Sequence, residues 1–315
     1  MIMAEFHSFL ETVDDYLLLT EFPKIIPIDT VNFCNLKCSM CMTKDSKRAK
    51  GFMDWNLYTK VIDEIASEDL STRIYMVFSG EPMLRAKHKQ SIFAMISYAK
   101  NKGLNELFIN TNGCLLNEEN SIHLLESGIK QIFIGLDAFS SDVYQLNRCG
   151  GNYEITKNNV LNLLALQKKI NKNDVKIECQ FIEMDNNIHQ EKDFIKFWTG
   201  QGAHVKVRPM CTWAGKIDRK IMVPLTEKRK ACYWAMTTMV IGFNGQVVNC
   251  ACDLGAEISH GNVNEKSIKE IWNTSLKEFR KIHLEGRWNE LNSLCKNCKD
   301  WQIAGSTHYS HDVIF

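Results

Sequence analysis

A chain of 315 residues can bury one large core, or one core with a small appended domain. Its 45% hydrophobic and 24% charged residues are those of an ordinary soluble globular protein. The net charge of +1 supplies no field to attract nucleic acid or an anionic membrane, so neither is an expected partner.

The first predicted element is an N-terminal helix within residues 1–25. Residues 8–28 are fairly apolar, but Glu11, Asp14, Asp15, Glu21 and Lys24 interrupt them, so they cannot span a bilayer, and no signal peptide is recognisable. Without an export signal the protein is expected in the cytoplasm. There, twelve cysteines point to metal binding rather than to disulfides. Three of them crowd residues 34–41, five lie at 232, 250, 252, 295 and 298, and Cys114, Cys149, Cys179 and Cys211 are scattered between.

From 26 to 215 the pattern alternates. Strands are predicted at 24–29, 74–78, 106–110, 131–136, 175–182 and 205–208, and helices at 55–67, 88–102, 117–127, 152–171 and 188–200. Several of these strands read as apolar throughout, which suits parallel strands covered on both faces. The repetition implies right-handed βαβ units, with the chemistry on the loops that follow the strands. Those loops carry Cys34-x₃-Cys38-x₂-Cys41, Ser79-Gly80-Glu81-Pro82, Asn110-Thr111-Asn112-Gly113 and Asp137 in turn. After about 215 the rhythm fades. A hairpin is expected over 239–248 around Asn244-Gly245, followed by a helix over 267–284 between the two later cysteine groups.

Three thiolates on one loop can hold three irons of a [4Fe–4S] cube and leave the fourth without a protein ligand, open to a cofactor or substrate. A structural zinc would need a fourth ligand close by, and His7 and His88 are distant in sequence. The later set, Cys232-x₁₂-Gly245-x₄-Cys250 with Cys295-x₂-Cys298, could hold either [4Fe–4S] or zinc on spacing alone.

The cysteine spacing, its place on a βα loop and the motifs downstream resemble the radical S-adenosylmethionine (SAM) superfamily over nearly the whole chain. The resemblance implies a partial (β/α)₆, TIM-like barrel with a small C-terminal β-hairpin/helix iron–sulfur domain. It divides the chain into an N-terminal helix (1–25), the barrel (26–215) and an auxiliary domain (216–315). It also implies that SAM chelates the open iron of the cluster held by Cys34, Cys38 and Cys41. Ser79, Gly80, Glu81 and Pro82 then stand for the family's GGEP motif near the SAM ammonium, Asn110 and Asn112 sit where members contact ribose or carboxylate, and Asp137 completes the shell. Met40 occupies the place where many members put an aromatic ring beside adenine.

The later region, with Gly261-Asn262-Val263 and Ser267-Ile268-x-Glu270-Ile271-Trp272, resembles the SPASM/twitch domain. The cysteines that a full SPASM domain would place further on are here Ala304 and His308. The resemblance therefore implies the shorter twitch form, with one auxiliary [4Fe–4S] cluster on Cys232, Cys250, Cys295 and Cys298. Four cysteine ligands would close it to substrate and leave it an electron-transfer role.

The spacing most resembles enzymes acting on aminocyclitols and amino sugars. Their 5′-deoxyadenosyl radical takes hydrogen from a carbinol carbon, and either oxidation or epimerisation follows. Oxidation needs a base and an electron acceptor; epimerisation needs a free thiol. Cys252 and Cys211 are the candidate hydrogen donors, with Cys252 otherwise an alternative ligand or plain packing. His204, Arg208 and Arg148 are candidates to assist a hydroxyl. The expected partners are a small sugar- or aminocyclitol-like substrate and a flavodoxin- or ferredoxin-type electron donor. The other readings are a maturase of ribosomally made peptides, for which about 30 residues before Cys34 leave little room for a leader-binding domain, an activator of another protein by glycyl-radical or formylglycine chemistry, and a non-catalytic metal-binding module.

Overall fold

The computed structural model describes residues 21–218 and 229–303. The helix expected within 1–25 therefore falls almost entirely outside the described residues. Six strands, β1 (Ile25–Pro27), β2 (Arg73–Tyr75), β3 (Leu107–Thr111), β4 (Gln131–Gly135), β5 (Lys176–Glu183) and β6 (His204–Pro209), form one parallel sheet in sequence order. Between them run α1 (Trp55–Glu68), α2 (Ile92–Asn101), α3 (Glu118–Glu126), α4 (Ser141–Asn147), α5 (Tyr153–Lys169) and α6 (Glu191–Gly200). This is the partial α/β barrel.

Local chemistry explains the elements. Asp54 starts α1 by accepting from the Asn56 and Leu57 amides, and Leu57, Tyr58, Val61, Ile62 and Ile65 then recur on its buried side. Asn152 caps α5 through the Ile155 amide, and Lys168 and Lys169 meet the negative end of its dipole.

Strand register sorts the residues of the sheet. Ile74, Ile109, Ile132, Ile134, Ile177, Phe181, Val205 and Val207 lie on the face that joins the main core under the helices. Each such burial stabilises by about 1.5–3 kcal/mol. The opposite face is different. Tyr75 and Phe108 stack at 5.0 Å and Phe108 and Phe133 at 6.2 Å, and this row continues into Asn110, Glu178, Gln180, Lys206 and Arg208. The strands are covered on both sides, as expected, but only one side is aliphatic. The inner wall is aromatic and polar.

The remaining described elements are α7 (Tyr233–Thr237), a three-stranded antiparallel sheet of β7 (Val240–Ile241), β8 (Gln246–Val248) and β9 (Ser259–Asn262), then α8 (Ile268–Asn273), α9 (Ser275–Leu284) and α10 (Ser293–Lys296). The hairpin turns at Gly245, whose φ of +87° requires glycine, and the side chains of Asn264 and Asn262 close over it. The single helix expected over 267–284 is two helices. Thr274, with φ −116° and ψ −95°, breaks it, and the break lets α9 turn back toward the cysteines.

The small sheet is joined to the large one. Lys24 N donates to Thr237 O (3.0 Å), Met239 N to Ile25 O (3.0 Å) and Asp29 N to Ile241 O (2.9 Å), so the hairpin runs beside β1 and covers the barrel's open edge.

Candidate metal and cofactor site

The loop after β1 carries the first three cysteines to the mouth of the barrel. Cys38 is buried, and Cys34 and Cys41 are half-buried, packed around Leu36, Met40 and Ile182 together with Cys114, Met184 and Met210 from other strand ends. The loop is pinned at several points. Lys37 N donates to Cys149 O (2.9 Å), Ser39 N to Asn147 O (3.0 Å), and Trp213 Nε1 to Met40 O (2.6 Å).

Donors already face two of the sulfurs. Cys34 Sγ accepts from Leu36 N (3.4 Å) and Asn112 Nδ2 (3.6 Å), and Cys38 Sγ accepts from Arg148 Nη1 (3.8 Å). Burial pushes the Cys34 thiol up to about 12, with the other two thiols adding to the effect, and burial also raises Cys38. Metal binding would reverse that penalty, because a thiolate paid for by iron releases its proton.

The next loop explains Ser79 and Gly80. The Ser79 amide and hydroxyl both donate to the buried Asp29 carboxylate (3.0–3.1 Å), which also pairs with Arg48 at 3.2 Å. Burial raises Asp29 to about 6, with Arg48 opposing the shift. A Cβ on Gly80 would lie 2.1 Å from Val31 O, so glycine is required for the two backbones to approach. Glu81 is buried and straps two loops together: Oε1 accepts from Met83 N (3.0 Å) and Thr111 Oγ1 (2.7 Å), and Oε2 from Asn112 N (2.7 Å). Pro82 begins the short helical turn Pro82–Arg85 that Glu81 caps.

Asn110 lies on the inner wall, in register with Phe133. Asn112 reaches the motif loop through Asn35 Oδ1 (2.9 Å) as well as Cys34. Asp137 adopts φ +55° and is fully buried; its Oδ1 accepts from Ile182 N (2.8 Å) and its Oδ2 lies 2.5 Å from Arg148 Nη2. Burial opposes the Arg148 charge, but Asp137 outweighs it and moves the guanidinium's pKa upward. Arg148, expected to assist a hydroxyl, is instead committed to Cys38 and Asp137. His204 starts β6 and Arg208 lies near its end, so His204 sits about 13 Å below Arg208 along the strand and away from the mouth.

The second cysteine group also converges. Cys232, Cys250, Cys295 and Cys298 line one cavity beneath α9, with Cys252, Phe279 and His283 among its other walls. All four are free thiols. Burial pushes Cys232 and Cys295 up to about 12 and raises Cys298, while hydrogen bonding from Cys252 lowers Cys250. Asn249 Nδ2 donates to Cys295 Sγ at 3.3 Å. Among the described residues no three metal-ligating side chains crowd a single point. The thiols stand instead around the walls of the cavity.

Cys252 belongs to this second group. It is buried beside Cys250, its amide donates to Cys250 Sγ (3.4 Å), and its thiol lies 3.6 Å from Asp300 Oδ2. Asp300 in turn holds Thr212 N (2.8 Å) and Ala214 N (2.9 Å), which fixes the segment carrying the buried Cys211. The Asp29–Arg48 pair, the Trp213 contact and Asn249 escaped sequence reasoning because each acts across a long separation. Only the cysteine spacing hinted at their surroundings.

The radical SAM superfamily model matches residues 28–176, and the model for SPASM, an iron–sulfur cluster-binding domain, matches 232–299. The chain therefore carries a radical SAM domain followed by a SPASM domain. Its cofactors are accordingly a SAM-binding [4Fe–4S] cluster, SAM and an auxiliary cluster, and the free thiols at both positions are the donor chemistry those clusters take.

The chain is 24% identical over 289 residues to the S-adenosyl-L-methionine-dependent 2-deoxy-scyllo-inosamine dehydrogenase of Niallia circulans, covering 91% of the chain and 97% of that relative. It is 23% identical to the tungsten-containing aldehyde ferredoxin oxidoreductase cofactor-modifying protein of Pyrococcus furiosus, covering 79% and 80%. Its fold matches the crystal structure of BtrN in complex with AdoMet and 2-DOIA (TM-score 0.62, 22% identity, 88% and 92% covered). It also matches SuiB of Streptococcus suis bound to S-adenosylmethionine (TM-score 0.66, 15% identity, 88% and 72% covered). No helix among the described residues is long and apolar enough to cross a membrane.

Proposed function

We propose that this radical SAM enzyme oxidises a carbinol carbon of a small polyhydroxylated substrate of the sugar or aminocyclitol class. The observation that carries the reading is the convergence of five cysteines on one cavity, of which Cys232, Cys250, Cys295 and Cys298 make a full ligand set: four thiolates suit a cluster that carries electrons and leaves substrate to the barrel. When bound, SAM and the two clusters supply a 5′-deoxyadenosyl radical to take hydrogen from the carbinol carbon and an acceptor for the electron left behind.

The chain's own residues do the rest. On this reading Cys34, Cys38 and Cys41 hold the SAM-binding cluster, and Ser79–Pro82, Asn110, Asn112 and Met40 position SAM. The inner wall supplies hydroxyl partners from Glu178, Gln180, Lys206 and Arg208. The near full-length likeness to an aminocyclitol dehydrogenase supports the substrate class. The placement of Cys252 against Asp300 favours oxidation over epimerisation, since that thiol is engaged at the second cavity. A flavodoxin- or ferredoxin-type protein would deliver the first electron.

The test is anaerobic turnover with SAM, dithionite and a panel of aminocyclitols and amino sugars in deuterated water. Oxidation gives deoxyadenosine together with a product two mass units lighter. A product of unchanged connectivity carrying solvent deuterium on carbon would indicate thiol quenching and overturn the proposal.

A further inference from the structure

His283 sits on the wall of the second cysteine cavity, one turn along α9 from Phe279, which lines the same space. It is 2% exposed, and neither ring nitrogen has a hydrogen-bond partner among the described residues. Buried polar groups in folded proteins are almost always paired, so an imidazole with two unpaired nitrogens in the wall of a cysteine-lined cavity points to a partner that the described residues do not provide.

The ring is held from both sides. Phe279 meets it edge-on at 4.9 Å, and Trp288 lies 6.1 Å away. Arg229, which lines the cavity as well, stacks on Trp288 at 5.1 Å and donates through Nη2 and Nη1 to Cys295 O (2.7 Å) and Lys296 O (3.1 Å), with only its Nε left unpaired among the described residues. Burial, helped by Arg229, lowers His283 to about 4, so the ring is neutral and carries one N–H to donate.

We infer that His283 donates a hydrogen bond to a sulfur of the auxiliary cluster and thereby raises its reduction potential. It is the counterpart of Asn249, whose amide already reaches Cys295 Sγ. An N–H pointing at a cluster sulfur stabilises the extra negative charge of the reduced state, and such outer contacts are among the determinants of cluster potential. His283 is thus a positioning and tuning residue, distinct from the ligands. The inference rests on the proposal that Cys232, Cys250, Cys295 and Cys298 hold that cluster.

The experiment uses the full chain carrying C34A, C38A and C41A, reconstituted anaerobically with iron and sulfide so that only the second site fills. Its midpoint potential is read by titration followed by electron paramagnetic resonance (EPR), with His283→Phe, which keeps the ring volume but removes the donor, and with His283→Gln, which restores a donor. The expected result is a lower potential for H283F, a potential near the parent's for H283Q, equal iron in all three, and loss in H283F of a weak nitrogen coupling. Equal potentials for H283F and the parent at equal iron would overturn the inference, as would the strong nitrogen coupling of a direct ligand. A parent chain that binds no iron would overturn the cysteine assignment itself, a result separable from the other two.

Discussion

Arg148 reaches the sulfur of Cys38, with Nη1 3.8 Å from Sγ. Its second nitrogen rests 2.5 Å from Asp137 Oδ2, so a buried cation is fixed beside one of the three motif thiols by a carboxylate from the end of β4. Gly135 makes room for it: a Cβ there would stand 2.1 Å from Nη2.

Replacing Arg148 by Met is therefore expected to lower the potential of the SAM-site cluster and to slow deoxyadenosine formation about tenfold, the cost of roughly 1.4 kcal/mol in the barrier. Gly135→Ala should displace the guanidinium and reproduce the same change without removing a charge. Redox titration and single-turnover assays under limiting reductant check both.

Single alanine replacements at Cys34, Cys38 or Cys41 are expected to abolish deoxyadenosine formation under dithionite while leaving the second site able to load. Iron analysis of the reconstituted chain should fall from about eight to about four per protein. Intact SAM cleavage in these variants would remove the basis for the assignment.

Cys250→Ala and Cys252→Ala separate a proposed ligand from its neighbour. The first is expected to lose the auxiliary signal and the oxidised product while still cleaving SAM. The second should keep its iron, because Cys252 is engaged with Asp300. EPR and deoxyadenosine-to-product ratios read the two effects independently.

Glu81→Gln puts an amide donor where three protein donors now point. Leaving such buried groups mismatched costs about 1–3 kcal/mol, so thermal unfolding should shift down by several degrees and SAM binding should weaken. Equilibrium binding and a melting curve on the same preparation test this.

His260 supplies a pH dependence. Burial lowers it to about 4, and its ring nitrogens contact Ser275 Oγ (2.8 Å) and Asn249 Oδ1 (3.2 Å). Because the folded value lies below the unfolded one near 6.5, its contribution is fully present above 6.5 and is lost as pH falls toward 4. The slope from this one group is at most about 1.4 kcal/mol per pH unit. His260→Gln should flatten the loss of stability between pH 7 and 5 in urea titrations of the loaded protein.

Much of this architecture was legible because chemistry restricts the residues. Only cysteines serve as thiolate ligands, and the loops bearing Ser79–Pro82 and Asn110–Gly113 follow strands whose β-branched and aromatic runs are unmistakable; each of the six strands lies within two or three residues of its expected place. What escaped was set by contacts distant in sequence. The periodicity across 267–284 carries no trace of the break at Thr274, since both halves keep apolar faces. The strand β9 has the sequence Ser-His-Gly-Asn, with no strand-forming side chain in it, and it pairs only because β8 offers an edge. Arg148 read as a candidate to assist a hydroxyl until the fold brought Asp137 and Cys38 to it.

The backbone bonds between β1 and the hairpin at 238–241 carry a consequence for engineering. The second iron–sulfur region is no detachable cassette. A chain cut before residue 230 would bare the polar edge of β1 beside the buried Ile26 and Ile28, and would be expected to self-associate rather than persist as a smaller catalyst.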